Sequence, residues 1–131
     1  MLDATFGSAF VSGSSPVVAS VNRLPGAPTH SLFAQIECHL RQGMTIGTEA
    51  RIESKAHVDD VNSDAAPGYA VLNLRAAQEF STGSTRMMVF GRIDNLLDKN
   101  YAGSVIVNES NRRFFEPAAG RRLFVGLRAT L

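Results

Sequence analysis

The feature that most constrains this chain is a set of strand-like stretches joined by connections that are alternately very short and very long. In "SLFAQIECHLRQGMTIGTEARIES", residues 31–54, Leu32, Ala34, Ile36, Cys38 and Leu40 alternate with Phe33, Gln35, Glu37, His39 and Arg41. After a turn at Gln42 and Gly43 the alternation resumes, with Met44, Ile46, Ala50 and Ile52 set against Thr45, Glu49, Arg51 and Glu53. A period of two belongs to a strand with one apolar face, so this stretch predicts a hairpin. A second pair follows across "STGS": Ala70, Leu72, Leu74 and Ala76 oppose Asn73 and Arg75, and Met87, Val89 and Ile93 oppose Arg86, Arg92 and Asp94. The final "GRRLFVGLRATL" puts Leu123, Val125, Leu127, Ala129 and Leu131 on one side, and Arg122, Phe124, Gly126, Arg128 and Thr130 on the other. A weaker first strand near Leu2 to Val11 brings the expected number to about six.

The connections at 41–43 and 81–84 are short, whereas 12–30, 55–67 and 95–118 are long and rich in Gly, Pro, Ser, Asn and Asp. In an all-β, antiparallel up-and-down meander, that order places every tight turn at one rim and every long loop at the other. Strands of about ten residues with this asymmetry are the pattern of a transmembrane β-barrel. A soluble antiparallel sheet that packs its apolar face inward satisfies the same alternation. Two features favour the membrane: the polar face carries full charges on several successive strands, and the apolar face has few large aromatics.

Composition narrows the function classes. With 131 residues, 44% hydrophobic content and a net charge of +1, the chain is neither strongly disordered nor polybasic, and no nucleic-acid partner is expected. No stretch reaches the roughly 20 apolar residues of a spanning helix. The start "MLDATFGSAFVSG" lacks the basic and apolar regions of a secretory signal. The single cysteine, Cys38, has no internal partner for a disulfide.

Residues 91–131, "GRIDNLLDKNYAGSVIVNESNRRFFEPAAGRRLFVGLRATL", resemble the C-terminal end of a TonB-dependent outer-membrane receptor of the siderophore-receptor type. The matching elements are "DNLLDKNY", then "FEPAAGR", then the alternating last strand; "NRLPGAPTHSL" and "PGYAVLNLRA" are similar upstream, in the same order. Asp94 and Asn95 stand where a strand leaves the sheet and can cap freed backbone groups. Gly120 is placed to turn the chain into the last strand, and Tyr69 and Tyr101 lie at strand ends, where an interfacial aromatic belt would sit. The resemblance implies that residues 1–131 are the C-terminal part of a 22-stranded barrel whose plug domain and signal peptide are absent. It implies a place in the Gram-negative outer membrane, short turns on the periplasmic side and long loops outside. The implied partners are the rest of the barrel and plug, outer-membrane lipid, TonB through the plug, and a ferric siderophore or similar chelate as cargo. Leu131 departs from the aromatic residue that usually ends such barrels. Six strands cannot close a barrel, so the expectation is a receptor fragment that does not transport alone. Two other functions are carried forward: a subunit donating strands to an oligomeric outer-membrane pore, and a soluble β-barrel ligand-binding module.

Among candidate sites, Asn108, Arg112, Arg113 and Phe114 lie in the last long loop. Guanidinium groups beside an aromatic suit an anionic ferric chelate, while pairing of these arginines with Glu109 and Glu116 would make the same loop purely structural. Asp59, Asp60, Asn62 and Asp64 are spaced somewhat like a calcium loop, but Ala65 and Val71 occupy the glycine and glutamate positions, so a solvated loop is expected and no metal. Cys38 and His39 point to opposite faces, and neither His30 nor His57 has ligand spacing. No nucleophile, base and orienting group converge, so neither enzymatic activity nor a cofactor is expected.

Overall fold

The computed structural model describes residues 5, 7–8, 10–11 and 17–130. It is all β, with strands β1 (Phe10–Val11), β2 (Val17–Val18), β3 (Ser31–His39), β4 (Met44–Glu53), β5 (Ala56–His57), β6 (Ala65–Ala66), β7 (Tyr69–Thr82), β8 (Thr85–Asp94), β9 (Ala102–Val105), β10 (Phe115–Pro117) and β11 (Arg122–Thr130). One single-turn 3-10 segment, Arg41–Gly43, joins β3 to β4. No helix among the described residues is long and apolar enough to cross a membrane.

Five strands form one sheet in the order β11-β8-β7-β4-β3, an up-and-down meander in which neighbours in sequence are neighbours in space. The β7–β8 and β8–β11 pairs are antiparallel and run without a register shift, from Leu74↔Ile93 to Thr82↔Thr85 and from Arg122↔Asp94 to Thr130↔Arg86. Gly43 lies against Glu79, Gly47 against Arg75 and Gly68 against Glu53, so β4 and β7 also run in opposite directions. The β3–β4 hairpin closes where the Leu40 N–H donates to the Met44 carbonyl at 2.7 Å, with Gln42 at φ 65° and Gly43 at φ 76°. Both short turns therefore fall at one rim. Of the expected first strand, residues 2–4, 6 and 9 lie outside the described residues. Thr5 bridges Arg23, and Phe10–Val11 pair with Val17–Val18 apart from the large sheet, so the meander has five strands among the described residues.

The chain divides into two compact units: a sheet unit of Phe33–Arg51, Ala70–Lys99 and Gly120–Leu131, and a loop unit of Met1–Leu32, Ile52–Tyr69 and Asn100–Ala119. The buried apolar side chains among the described residues, Val18, Val58, Ala66 and Phe114, all belong to the loop unit. In the described part of the sheet unit no apolar side chain is buried, and Val125, Leu123 and Ile36 are 74%, 68% and 64% exposed. An isolated soluble sheet gains its stability by burying one face; this one buries neither. The long connections are more ordered than their Gly/Asn-rich sequence implies. Residues 55–67 carry the β5–β6 pair and the last loop carries the β9–β10 pair.

The turn after β8 shows why "DNLLDKNY" is spelled as it is. Asn95 is 3% exposed with φ 52°; its Oδ1 accepts from the Lys99 N–H at 2.8 Å and its Nδ2 donates to the Lys99 carbonyl at 2.9 Å. From β7, Asn73 Oδ1 accepts the Asn95 N–H at 2.9 Å, and the Leu72 carbonyl accepts the Leu96 N–H at 2.8 Å. Asparagine supplies both a left-handed backbone and a side chain that replaces lost ladder partners. Asp98 continues the path: its Oδ1 accepts the Arg121 N–H at 2.8 Å, fixing the residue that precedes β11. A Cβ on Gly120 would lie 3.1 Å from that carboxylate. At the entry to β11, Gly120 makes room for Asp98. Asp94 does not cap backbone; its carboxylate goes to Arg92 and Arg122. Tyr69 and Tyr101 stack on each other at 4.3 Å between ring centroids.

Replacing Asn95 with Ala removes a buried donor and acceptor and is expected to destabilise the folded sheet by about 1–3 kcal/mol. Urea titration in detergent micelles measures this; Asn73→Ala, which removes the acceptor of the Asn95 backbone N–H, should carry a separate cost of about 1–3 kcal/mol.

Candidate functional site

Two places combine chemistry-bearing side chains. The first is the polar face of the sheet. Strict alternation and the unshifted register put Glu37 of β3, Glu49 of β4, Arg75 of β7, Arg92 and Asp94 of β8 and Arg122 of β11 on one face. They form a continuous row of opposite charges: Glu37 to Arg75 at 2.5 Å, Arg75 to Glu49 at 3.6 Å, Glu49 to Arg92 at 3.2 Å, Arg92 to Asp94 at 2.5 Å and Asp94 to Arg122 at 3.7 Å. His39 adds a contact at 3.3 Å from Nε2 to Glu37 and one at 3.2 Å from Nδ1 to Thr45.

The row crosses all five strands because Arg75 lies flat over β4. A Cβ at Gly47 would stand 2.5 Å from Arg75 Nε, so only glycine leaves the guanidinium room to reach β3. Such partly exposed pairs contribute little individually. Linked in one row, each arginine already restrained by one carboxylate gives up less freedom in meeting the next. Beside the row, towards the short turns, lies a depression of about 590 Å³ whose walls include Thr45, Ala77, Glu79, Met88, Phe90 and Phe124. Phe90 lies across Gly126, its cross-strand partner: a Cβ there would collide with the ring.

The opposite face carries no charge on any of the five strands. Leu32 to Leu40, Met44 to Ile52 and Leu72 to Phe80 each span nine residues. At about 3.4 Å per residue, each is an apolar stretch roughly 30 Å long.

The second place is a cavity of about 790 Å³ within the loop unit, whose lining includes Val18, Asp59, Asp60, Asn108, Arg112 and Phe114. Three of the four residues named from sequence thus line one space, and Arg113 does not. Asn108 ties two loops together: its Nδ2 donates to Asp60 Oδ2 at 3.1 Å, its Oδ1 accepts the Asp60 N–H at 3.2 Å, and its own N–H donates to the Val58 carbonyl at 3.0 Å. Phe114 is 8% exposed and serves packing. Arg112 sits at φ 56°, with its N–H on the Glu109 carbonyl. Neither Arg112 nor Arg113 meets a carboxylate within 4 Å among the described residues; Glu109 accepts from the Asn111 N–H at 3.2 Å, and Glu116 accepts from Ser104. The cavity walls also carry Asp64 and Glu109, so carboxylates outnumber the one guanidinium.

The calcium-like residues form a latch. Asn62, at φ 56°, accepts the Arg23 N–H at 2.7 Å and donates to the Arg23 carbonyl at 2.8 Å and to the Asp59 carbonyl at 3.0 Å. Asp59 accepts the Ser63 N–H at 2.7 Å, and Asp64 accepts the Ala65 N–H at 2.7 Å. The stretches "NRLPG" and "DDVNSD" are thus two sides of one interaction, with the Gly26 N–H on the His57 carbonyl at 2.8 Å closing it. No group of acidic, His or Cys side chains suited to a metal occurs among the described residues. The ion-pair row was half visible in sequence as charges on successive strands; which partner each meets depends on register.

No family model matches the sequence. The fold is similar to that of a solved structure, the ferric preacinetobactin receptor BauA of Acinetobacter baumannii, with a TM-score of 0.63 over 82% of this chain at 18% identity. The chain spans 16% of that receptor's length. At this identity the likeness is one of fold: an antiparallel sheet of the kind found in a siderophore receptor.

Asn62→Ala removes the latch, and trypsin is expected to cut at Arg23 or Lys55 several-fold faster in that variant, while β11 stays protected. Mass spectrometry of timed digests reads both.

Proposed function

We propose that this chain is a wall segment of a TonB-dependent outer-membrane receptor that imports a scarce nutrient, a ferric siderophore or a similar iron chelate. The observation that carries the reading is the sheet itself: five meandering strands with an uncharged, exposed apolar face and a charged opposite face, in a fold similar to a siderophore receptor. In this reading the apolar face meets outer-membrane lipid, the ion-paired face lines the lumen, and the long loops lie outside the cell. Five strands do not close a barrel, and the β3 and β11 edges have no partner strand among the described residues. The remaining wall, to 22 strands, and the plug through which TonB acts belong to residues beyond these 131. The segment does no chemistry of its own and needs no resident cofactor.

Mechanistically, loops held by the Asn62 and Asn108 contacts form part of the outer vestibule where the chelate first binds, and the polar face forms part of the path it follows. The acidic lining of the loop cavity suits a chelate of low or no negative charge better than a highly anionic one.

Both alternatives lose support. A soluble module would bury the apolar face, which is open here. In a pore built from several copies, each copy must share one orientation. With five strands, β3 and β11 run in the same direction, so adjoining copies would meet in a parallel seam unlike the antiparallel pairing of outer-membrane barrels.

Val125→Arg puts a charge in the middle of the apolar face and is expected to cost about 2–4 kcal/mol of folding in lipid. Arg128→Gln, on the other face, should cost far less; vesicle-refolding yields compare them, and equal losses would remove the membrane reading. For the import reading, radioactive iron uptake from ferric chelates by cells carrying the full receptor should fall to background when residues 31–130 are deleted. Undiminished uptake would refute it.

A further inference from the structure

The apolar face of the sheet is free of charge along its strands, and the first charge on that side stands just beyond it. Arg121 precedes β11 and by alternation shares the side of Leu123, whereas its neighbour Arg122 turns to the charged face, where it meets Asp94 at 3.7 Å and stands 5.7 Å from the centroid of the Phe124 ring. Lys99 stands in the turn that follows β8, and Arg121 is tied to the same turn. Asn95 binds both backbone polar groups of Lys99, at 2.8 and 2.9 Å, and Asp98 accepts the Arg121 N–H at 2.8 Å. The backbone beneath both cations is therefore fixed at the long-loop end of the sheet. Both residues are exposed, and neither meets a carboxylate within 4 Å among the described residues, unlike Arg75, Arg92 and Arg122. Asp98 is the one acid of this turn, so two cations stand beside one carboxylate. Leu97, two residues before Lys99, and Leu123, two after Arg121, are 67% and 68% exposed.

We infer that Lys99 and Arg121 form a binding site for the anionic phosphate of a membrane lipid. The acyl chains lie along Leu123 and the apolar face, and the phosphate meets the guanidinium and ammonium groups at the rim. The edge of an apolar face is where hydrocarbon gives way to headgroups, and long Lys and Arg stems reach that level with their carbon atoms still on apolar ground. Phosphate is the fitting anion: guanidinium takes it through paired hydrogen bonds, and a second cation answers its remaining charge. The inference rests on the membrane-wall reading and deepens it, by naming the residues that select which lipid stands at this rim.

The chain contains no tryptophan, so one introduced indole reports on its own surroundings. Leu123→Trp places it two residues from Arg121 on the same side, and Leu127→Trp places it about 14 Å further along β11, at about 3.4 Å per residue. With the full chain refolded in phosphatidylcholine vesicles, a small fraction of lipid brominated in its acyl chains is expected to quench both, since bromine quenches indole only at short range. Brominated phosphatidate should quench Leu123→Trp about fivefold more effectively than brominated phosphatidylcholine, and Leu127→Trp no more effectively. K99Q/R121Q should abolish that preference and leave quenching by brominated phosphatidylcholine unchanged, which shows that the variant has folded; K99R/R121K should keep the preference. Equal quenching of Leu123→Trp by the two lipids, the same preference at Leu127→Trp, or a preference that survives in K99Q/R121Q would each overturn the site. So would an equal preference for brominated stearate, an anion without phosphate, or loss of the preference in free inorganic phosphate. All of these leave the wall reading standing, whereas an absence of quenching of either indole by any lipid would overturn both.

Discussion

Everything in the sheet depends on one condition: a five-stranded backbone ladder whose two faces have different chemistry and neither of which is buried by the chain. Backbone hydrogen bonds and the ion-pair row join the strands, but apolar burial, the largest favourable term in most folds, must come from the surroundings. In water, Leu123, Val125, Leu127 and Ile36 would be a standing cost, whereas in hydrocarbon the same side chains cost nothing. In the proposed reading, a membrane takes the place of the core. The loop unit follows the opposite rule and keeps its own small buried set at Val18, Val58, Ala66 and Phe114.

Much of the sheet was legible from residue order because the period of two is a local property. Hairpin turns at 41–43 and within 81–84, the two faces and the last strand all follow from it, although β7 runs on to Thr82 and leaves only 83–84 as the turn. What the pattern could not supply was partnership. That Arg75 reaches across β4 to Glu37 depends on the register of three strands and on the missing side chain at Gly47. The pairing of Arg92 with both Glu49 and Asp94 requires β4, β7 and β8 to be placed first.

The loops were less legible, for a physical reason. Their short strand pairs have no long alternation, and their buried side chains are scattered along the chain from Val18 to Phe114. Asp59, Asp60, Asn62 and Asp64 looked like oxygen donors because the residues that hold backbone turns are the same types that hold calcium. Only the partners, Arg23, Ser63, Ala65 and Asn108, distinguish the two uses. The arginines of the last loop have a similar ambiguity: position brought Arg112 to the cavity, but its surroundings are acidic.

The contact from Asp98 to the Arg121 N–H has a consequence for assembly. A strand with period-two chemistry can slide along its neighbour, and a slip of one residue exchanges its faces completely. If β11 moved by one position on β8, Arg122 and Arg128 would join the apolar face while Leu123, Val125 and Leu127 joined the charged one. The carboxylate of Asp98, held by the Asn95 turn, meets the chain one residue before that strand begins. It works as a detent that holds the count of β11 along β8.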